Sequence, residues 1–310
     1  MKENTNVSKR GSGSLPKFQK WGSDWTIAKL DAFKKYVDAY LTIMEVHKHK
    51  GNWLTLYFDG FAGSGDCGAE KGSVKAKAES LLLDFGIEEA DTEIYKGAAE
   101  RVLELKKKFN YYYFIDLDEQ SLKKLQERLT RFDMGPQLQF RAGDANKYIA
   151  ELAAALKRNK KFKALVLLDP FGMQINWESI ELLRDTASDV WILVPSGVII
   201  NRLLDRKGEL TNLKKLCSFF GMTEEEIRKE FYTEDVNNTL FGEETVIQKK
   251  QDSIKKIADL YIKKLGYVWK YVTPKPLIMR NTKNVTIFHF VFASNNKTGL
   301  QIANDIIGKV

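Results

Sequence analysis

Residues 53–65 read WLTLYFDGFAGSG, and this stretch indicates the fold. It begins with a compact apolar run that stops at Asp59, which is the pattern of a buried strand. The glycine-rich part that follows predicts a tight loop, because glycines adopt positive φ and let the backbone come close to a ligand. A glycine turn after a strand is also common as a simple connection, so this stretch alone leaves both interpretations open.

Three later apolar runs also end at acidic residues. YYYFIDLD ends at Asp116 or Asp118, QLQFRAGDA ends in a polar turn that contains Asp144, and KALVLLDPFG ends at Asp169. A fifth run covers residues 190–194. Strands that alternate with helices at this spacing predict a parallel sheet with helices on both faces.

Helical periodicity fills the segments between and before these runs. Residues 24–50 predict an amphipathic helix that begins at a Ser23 or Asp24 cap and ends before Gly51. Residues 73–85 and 98–109 predict two more helices before the second strand.

The complete pattern predicts one α/β domain. Residues 266–281 and 284–296 look like two antiparallel partners at the end of the chain. We therefore predict a Rossmann-like, doubly wound, mostly parallel sheet of about seven strands with a final antiparallel strand. Residues 16–310 form the single domain, residues 206–265 a helical insertion without strands, and residues 1–15 a flexible tail.

Composition excludes several classes of protein. With 44% hydrophobic and 29% charged residues, the chain is typical of globular proteins and not of disordered ones. It has no apolar run long enough to span a bilayer and no apolar signal-peptide core at its start, so we expect a cytoplasmic protein. The spacing of Cys67 and Cys217 argues against disulfides and against a zinc site, and we expect no bound metal.

The carboxyl ends of strands carry the residues with chemical potential, since ligands of open parallel sheets bind there. Asp116 can accept two hydrogen bonds from a ribose diol, while Asp118 or Glu119 serves the following helix N-terminus. Asp144 can accept from an adenine amino group and Ala145 can donate its N–H to the ring. A helix cap explains Asp144 equally well.

The loop Asp169-Pro170-Phe171-Gly172 is the most specific of these features. Its carboxylate or the proline carbonyl can accept from a planar amine, and Phe171 can stack on the ring that carries the amine. A purely structural turn gives no reason to expose Phe171. The pattern therefore favours transfer chemistry at an amine, in which positioning does most of the work.

The ordered set FDGFAGSG, FIDLD, GDA and LDPFG resembles the motifs of class I methyltransferases, which use S-adenosylmethionine (SAM). The segments WTIAKLDAFKKYVDAYL and TIFHFVFASNNKTGLQIANDI resemble the three-Cys-motif partner protein family over residues 21–307. That resemblance implies Asp116 at the ribose, Asp144 and Ala145 at the adenine, and Asp169, Pro170 and Phe171 at the acceptor. It places the first loop around the methionine part of SAM, through Asp59, Gly60, Phe61, Gly63 and Gly65.

The resemblance also narrows the acceptor. DPFG is similar to the acceptor motif of tRNA guanine-N2 methyltransferases, whereas enzymes that methylate amines in DNA usually have DPPY or NPPY. We expect methylation of an exocyclic amine of a nucleic acid base, in RNA or DNA. Two other functions stay open: a non-catalytic SAM-binding or scaffold partner of a three-Cys-motif radical-SAM-like protein, and a nicotinamide dehydrogenase, against which GFAGSG lacks the GxGxxG spacing.

Some residues outside the motifs are weaker candidates. Trp25 and Lys29 either close over the cofactor or are a core tryptophan and a solvent-facing lysine. Ser294 and Asn295 are candidates for the border of the pocket.

The formal net charge of +8 gives a weak indication of a nucleic acid partner. A basic clamp in the insertion would use Lys214, Lys215, Lys255, Lys256, Lys263 and Lys264.

Overall fold

The computed structural model describes five stretches of the chain: residues 21–65, 97–134, 137–239, 242–281 and 283–310. Three predictions lie outside the described residues, namely the tail over residues 1–15, the helix over residues 73–85 and the position of Cys67. No helix in the described stretches is both long and apolar enough to cross a bilayer.

An eight-stranded sheet forms the centre of the molecule. Its strands are β1 (Leu54–Asp59), β2 (Tyr111–Asp116), β3 (Leu138–Ala142), β4 (Phe162–Leu168), β5 (Ser188–Val194), β8 (Tyr271–Val272), β9 (Leu277–Arg280) and β10 (Thr286–Ser294). The spatial order is β3-β2-β1-β4-β5-β10-β8, and β9 also pairs with β10. The first five strands are parallel, and β10 is antiparallel to β5. The predicted fold class is confirmed.

Helices cover both faces of this sheet. They are α1 (Trp21–Val46), α2 (Ala98–Leu103), α3 (Glu119–Leu129), α4 (Ala145–Arg158), α5 (Trp177–Leu182), α6 (Leu213–Phe220), α7 (Glu224–Phe231), α8 (Ser253–Leu265) and α9 (Lys297–Ile307). After β5 the chain makes a π-helical turn at Ser196–Ile200 that continues as a short α-helical turn at Asn201–Leu203.

Strand residues alternate between two separate hydrophobic clusters, as the two-residue period of a strand requires. On β1, Phe58 belongs to one cluster and Tyr57 to the other. The first cluster is rich in aliphatic residues and includes α4, α5 and the insertion helices. The second is rich in aromatic residues and includes α1, with Tyr36 packed on Trp191 at a ring-centroid distance of 5.5 Å. Burial on both faces explains why these strands read as continuous apolar runs.

Two of the sequence predictions about local structure are wrong. The insertion is not entirely helical, because β6 (Tyr232–Thr239) and β7 (Gly242–Lys249) pair as an antiparallel hairpin. Their polar, β-branched sequence can alternate in a two-stranded sheet without a hydrophobic core on both faces. Helix α1 includes Ser23 and Asp24 and is therefore not capped by them.

Candidate functional site

Three carboxyl groups lie where neighbouring parallel strands end. Asp59 is the last residue of β1 and pairs in register with Phe114 of β2 and Leu167 of β4. Asp116 and Asp169 lie two residues beyond these partners. We call this group of Asp59, Asp116 and Asp169 the carboxyl edge. It lies beside the point where the strand order reverses, which is the ligand-binding position of open α/β sheets.

The glycine turn after β1 is held against the end of β2. The Gly63 N–H donates to Oδ2 of Asp116 at 2.7 Å, and the Ala62 N–H donates to the Ile115 carbonyl at 2.9 Å. Gly63 and Gly65 have φ values of 59° and 77°, which favour glycine. The turn therefore has a defined conformation that depends on Asp116.

Gly60 has a different reason to be glycine. A Cβ atom there would lie 2.8 Å from the Cδ2 atom of Leu168 in the neighbouring strand. The Gly60 N–H also donates to the Leu167 carbonyl at 3.0 Å. Gly60 thus serves the contact between β1 and β4, and this contact accounts for it without a ligand.

The sequence predicts a ribose diol as the partner of Asp116 and assigns Asp118 or Glu119 to the N-terminus of the following helix, and the structure places Asp118 at that N-terminus. Asp118 is the N-cap of α3, where its Oδ1 accepts from the Gln120 N–H at 3.0 Å. Asp116 accepts from the Asp118 N–H at 2.9 Å through Oδ1, and from Gly63 through Oδ2. Each carboxylate oxygen has a second lone pair, so Asp116 can still accept from a diol.

Asp144 is a helix cap, as one of its two interpretations predicts. Its Oδ1 accepts from the Asn146 N–H and from the Asn146 side-chain amide, both at 2.9 Å. Asp144 is exposed, and its Oδ2 accepts no hydrogen bond from the described stretches. Ala145 is buried in the first turn of α4. The cap does not use the Oδ2 atom that an adenine amino group would need.

Asn146 makes contacts between two loops of the site that sequence reasoning missed. Its amide donates to the Gln174 carbonyl at 2.8 Å, and its Oδ1 accepts from the Asn176 N–H at 2.8 Å. Asn176 in turn accepts from Ser218 of α6 at 2.8 Å. These bonds fix the loop after β4 to the loop after β3. The signal was the Asn two positions after Asp144, a type that bonds nearby backbone.

Asp169 forms an ion pair with Lys29 of α1, through its Oδ2 atom. The lysine is 6% exposed, and the Asp169 side chain is 22% exposed. Pro170 is buried, and Phe171 is half-buried. The interpretation of Lys29 as a solvent-facing residue is therefore wrong.

Burial and neighbouring carboxyl groups both act on Asp59 at the carboxyl edge. Burial raises the pKa of Asp59 to about 7, and the charges of Asp169 and Asp116 contribute to the increase. Hydrogen bonds from the Phe61 N–H and the Tyr57 hydroxyl, at 3.2 and 3.1 Å, oppose it. A positive charge near Asp59 would stabilise its ionised form.

Ser294 and Asn295 do not border this site. Ser294 pairs in register with Asp189 at the start of β5 and donates to its Oδ1. Asn295 donates to the Thr186 carbonyl at 3.2 Å and accepts from the Lys270 N–H at 3.0 Å. Because β10 runs antiparallel, its last residues lie at the amino ends of the parallel strands. Their candidacy for the pocket border is wrong.

The six lysines of the suggested clamp have different environments. Lys264 lies with its Nζ 4.6 Å from the ring centroid of Trp177 and donates to the Gly221 carbonyl at 3.5 Å. Lys264 therefore packs against α5 and the end of α6 and is not free to contact a nucleic acid. The exposed members are Lys214, Lys215, Lys255 and Lys263.

Comparisons with known proteins give structural neighbours alone. No family model and no curated protein matches the chain. Protein LPL1258 of Legionella pneumophila, of family DUF519, is 11% identical over 90% of this chain and 98% of that one, with a TM-score of 0.39. A methyltransferase from Geobacter sulfurreducens is 11% identical over 76% and 91%, with a TM-score of 0.28. A spermidine synthase is 9% identical over 81% and 56%, with a TM-score of 0.33. Cofactor and substrate are therefore argued from the residues of this chain.

Proposed function

We propose that the protein is a SAM-dependent methyltransferase that modifies an exocyclic amine of a nucleic acid base. The observation that carries this proposal is the carboxyl edge. There Asp116 orders the glycine turn after β1, and Asp169 begins the Asp-Pro-Phe-Gly loop beside it. A cofactor site and an acceptor site next to each other are what a group transfer between two ligands requires.

The residues of the carboxyl edge suit SAM. Its sulfonium and ammonium groups give it a net positive charge, which matches an edge where, among the described residues, three carboxyl groups lie near one lysine. Asp116 has lone pairs left for the ribose diol, and the positive φ values of Gly63 and Gly65 shape the turn beside it. In this proposal Asp59, Gly60, Phe61, Asp144 and Ala145 complete the cofactor site.

When bound, SAM supplies a methyl group on a positively charged sulfur, and the protein has to align an amine with it. Asp169 is placed to accept a hydrogen bond from that amine, and Pro170 fixes the backbone of the loop. In this proposal the base stacks on the ring of Phe171, which is half-buried. A nitrogen that gains a methyl group releases a proton, and the Asp169 carboxylate is a nearby acceptor for it.

A nucleic acid is the acceptor class that the charge supports best. The formal net charge is +8, and exposed lysines lie on α6 and α8 of the insertion. Such residues contact phosphates without reading sequence, so they position the polymer and leave selection of the base to the acceptor loop.

Transfer of a tritiated methyl group from SAM tests the proposal, with bulk tRNA, ribosomal RNA and genomic DNA offered separately. We expect label in one RNA class, and a loss of at least about 100-fold in Asp169→Asn with SAM affinity changed less than about threefold. A three-Cys-motif protein, the partner that the sequence resemblance implies, is added in a parallel series. SAM binding without transfer to any acceptor in either series would contradict the proposed activity and support the scaffold function.

A further inference from the structure

Lys29 is a buried cation that α1 places against the loop Asp169-Pro170-Phe171-Gly172. One turn earlier, Trp25 packs its ring on Phe288 of β10, at a centroid distance of 5.6 Å. The Nζ atom of Lys29 lies 5.9 Å from the centroid of the Trp25 ring. Aromatic packing therefore removes water from the lysine. Because a buried charge is costly unless it is paired, the position of Lys29 depends on Asp169.

Asp169 faces charged and titratable groups from two elements. Lys29 reaches it from α1, while the charge of Asp169 acts through space on Asp59 and Tyr57 of β1. The negative charges of Asp59 and Asp169 oppose each other, and burial adds to the cost for Asp59. Lys29 is the cation in contact with Asp169 among the described residues.

The geometry of the pair leaves one oxygen of Asp169 for a ligand. Lys29 contacts Oδ2, and Oδ1 accepts no hydrogen bond from the described stretches. The side chain is 22% exposed, so the group is not sealed from a substrate. The contact of Lys29 with Asp169, the acidic residue of the loop 169–172, therefore gives the lysine a role beyond packing.

We propose that Lys29 is a positioning residue for Asp169: its ammonium group holds Oδ2, so that Asp169 presents Oδ1 to the amine of the acceptor. This rests on the proposed methyl transfer. In that reaction the amine nitrogen forms a bond to the methyl carbon while the carbon–sulfur bond breaks and its electron pair passes to sulfur. The nitrogen then loses a proton to Asp169. Lys29 acts through Asp169 and does not itself touch the acceptor.

Carbon-13 NMR of aspartate carboxyl groups tests this directly in the full chain, with the Asp169 signal assigned from Asp169→Asn. In Lys29→Met we expect the titration midpoint of Asp169 to rise by about one pH unit or more, because an opposite charge in contact is lost. Lys29→Arg keeps the positive charge and should restore a midpoint close to that of the unmodified protein. Lys29→Gln is the second neutral variant if Lys29→Met does not fold.

Asp31→Asn is the matched control. Asp31 is on α1 as well, and its exposed carboxylate pairs with Arg101 of α2, away from the carboxyl edge. Loss of that pair removes an ion pair from the same helix and should leave the Asp169 midpoint unchanged. An unchanged midpoint in both Lys29→Met and Asp31→Asn would overturn the proposal.

Methyl transfer from tritiated SAM to bulk tRNA gives the functional readout. The acid limb of the pH–rate profile should move to higher pH in Lys29→Met, so that activity falls about tenfold more at pH 6 than at pH 8.5. A fall of equal size at both pH values would contradict the role of Lys29. If bulk tRNA accepts no methyl group even with the unmodified protein, the choice of acceptor fails, and the NMR midpoints alone decide the role of Lys29.

Discussion

Helix α1 reaches a carboxyl group at each end of the parallel strands, and it holds the two in different ways. At the carboxyl edge, Lys29 pairs with one oxygen of Asp169. At the opposite end, which we call the amino edge (Asp189, Thr186, Ser294 and Asn295), the Tyr36 hydroxyl donates to Oδ2 of Asp189 at 2.7 Å and Ser294 donates to Oδ1. Lys29 and Tyr36 are seven residues apart, about two helical turns.

The difference between these edges separates structure from function. Asp189 has both oxygens occupied by hydroxyl groups of its own protein, and burial raises its pKa while these bonds lower it. Asp169 is paired with a charge and keeps one oxygen without a described partner. Asp189 joins α1 and β10 to β5 through its two hydroxyl donors, whereas one oxygen of Asp169 is available to a ligand. The predictions below test this contrast.

The largest expected effect is on the pH dependence of stability at the carboxyl edge. Burial raises the pKa of Asp59 to about 7 in the folded protein, above its usual value of 3.8. The folded state therefore holds a proton that the unfolded chain has released, so this group lowers the free energy of unfolding as pH rises from about 4 to 7. Between pH 4.5 and 8.5 we expect a loss on the order of 3 kcal/mol.

Urea unfolding of the unmodified protein and of Asp59→Asn across this range measures the effect. The asparagine does not titrate, so the difference in stability between the two proteins should grow steadily in favour of Asp59→Asn above pH 5. Parallel stability curves for the two proteins would show that Asp59 titrates like an exposed carboxyl group and would contradict this prediction.

A smaller effect is expected from Tyr36→Phe at the amino edge. The change removes one hydroxyl from Asp189 and should lower the free energy of unfolding by about 1–2 kcal/mol. SAM affinity, measured by calorimetry, should stay the same because the site lies at the other edge. Tyr40→Phe, also in α1 but without a hydrogen bond to Asp189, is the control and should cost less. A weaker SAM affinity in Tyr36→Phe alone would mean that the edges are coupled.

The smallest effect is expected from Asn295→Ala. It removes the bonds to Thr186 and Lys270 and should cost about 1 kcal/mol of stability, measured from a urea midpoint. Any change in SAM affinity beyond about twofold would return Asn295 to the border of the pocket and contradict the strand direction described above.

Short-range patterns in the sequence were enough to predict most of the fold. The runs that end at Asp59, Asp116 and Asp169 are strands. A strand that is buried on both faces has apolar residues at consecutive positions, so it can be recognised as a continuous apolar run. Asp118 follows the rule that an acidic residue caps a helix. The hairpin of β6 and β7 escaped prediction because its strands are polar and lie outside the main core, although residues 245–247, Thr-Val-Ile, were a β-branched signal.

The site was predicted less completely, since its decisive contacts join distant residues. Lys29 and Asp169 are 140 positions apart, and no local pattern tells which lysine of α1 faces the acceptor loop. The prediction that Ser294 borders the pocket failed for a similar reason. The sequence at the end of a strand does not show whether the strand is parallel or antiparallel to its neighbour, and β10 is antiparallel to β5.

Calorimetric titration with SAM, and in parallel with NADH, tests the central claim that the carboxyl edge is a SAM site. We expect saturable SAM binding, no NADH binding, and a loss of SAM affinity of at least about 30-fold in Asp116→Ala, because that variant removes both the diol acceptor and the bond that orders the Gly63 turn. Asp189→Asn, at the amino edge, should bind SAM normally. Absence of SAM binding by the unmodified protein, or equal binding by Asp116→Ala, would contradict the account.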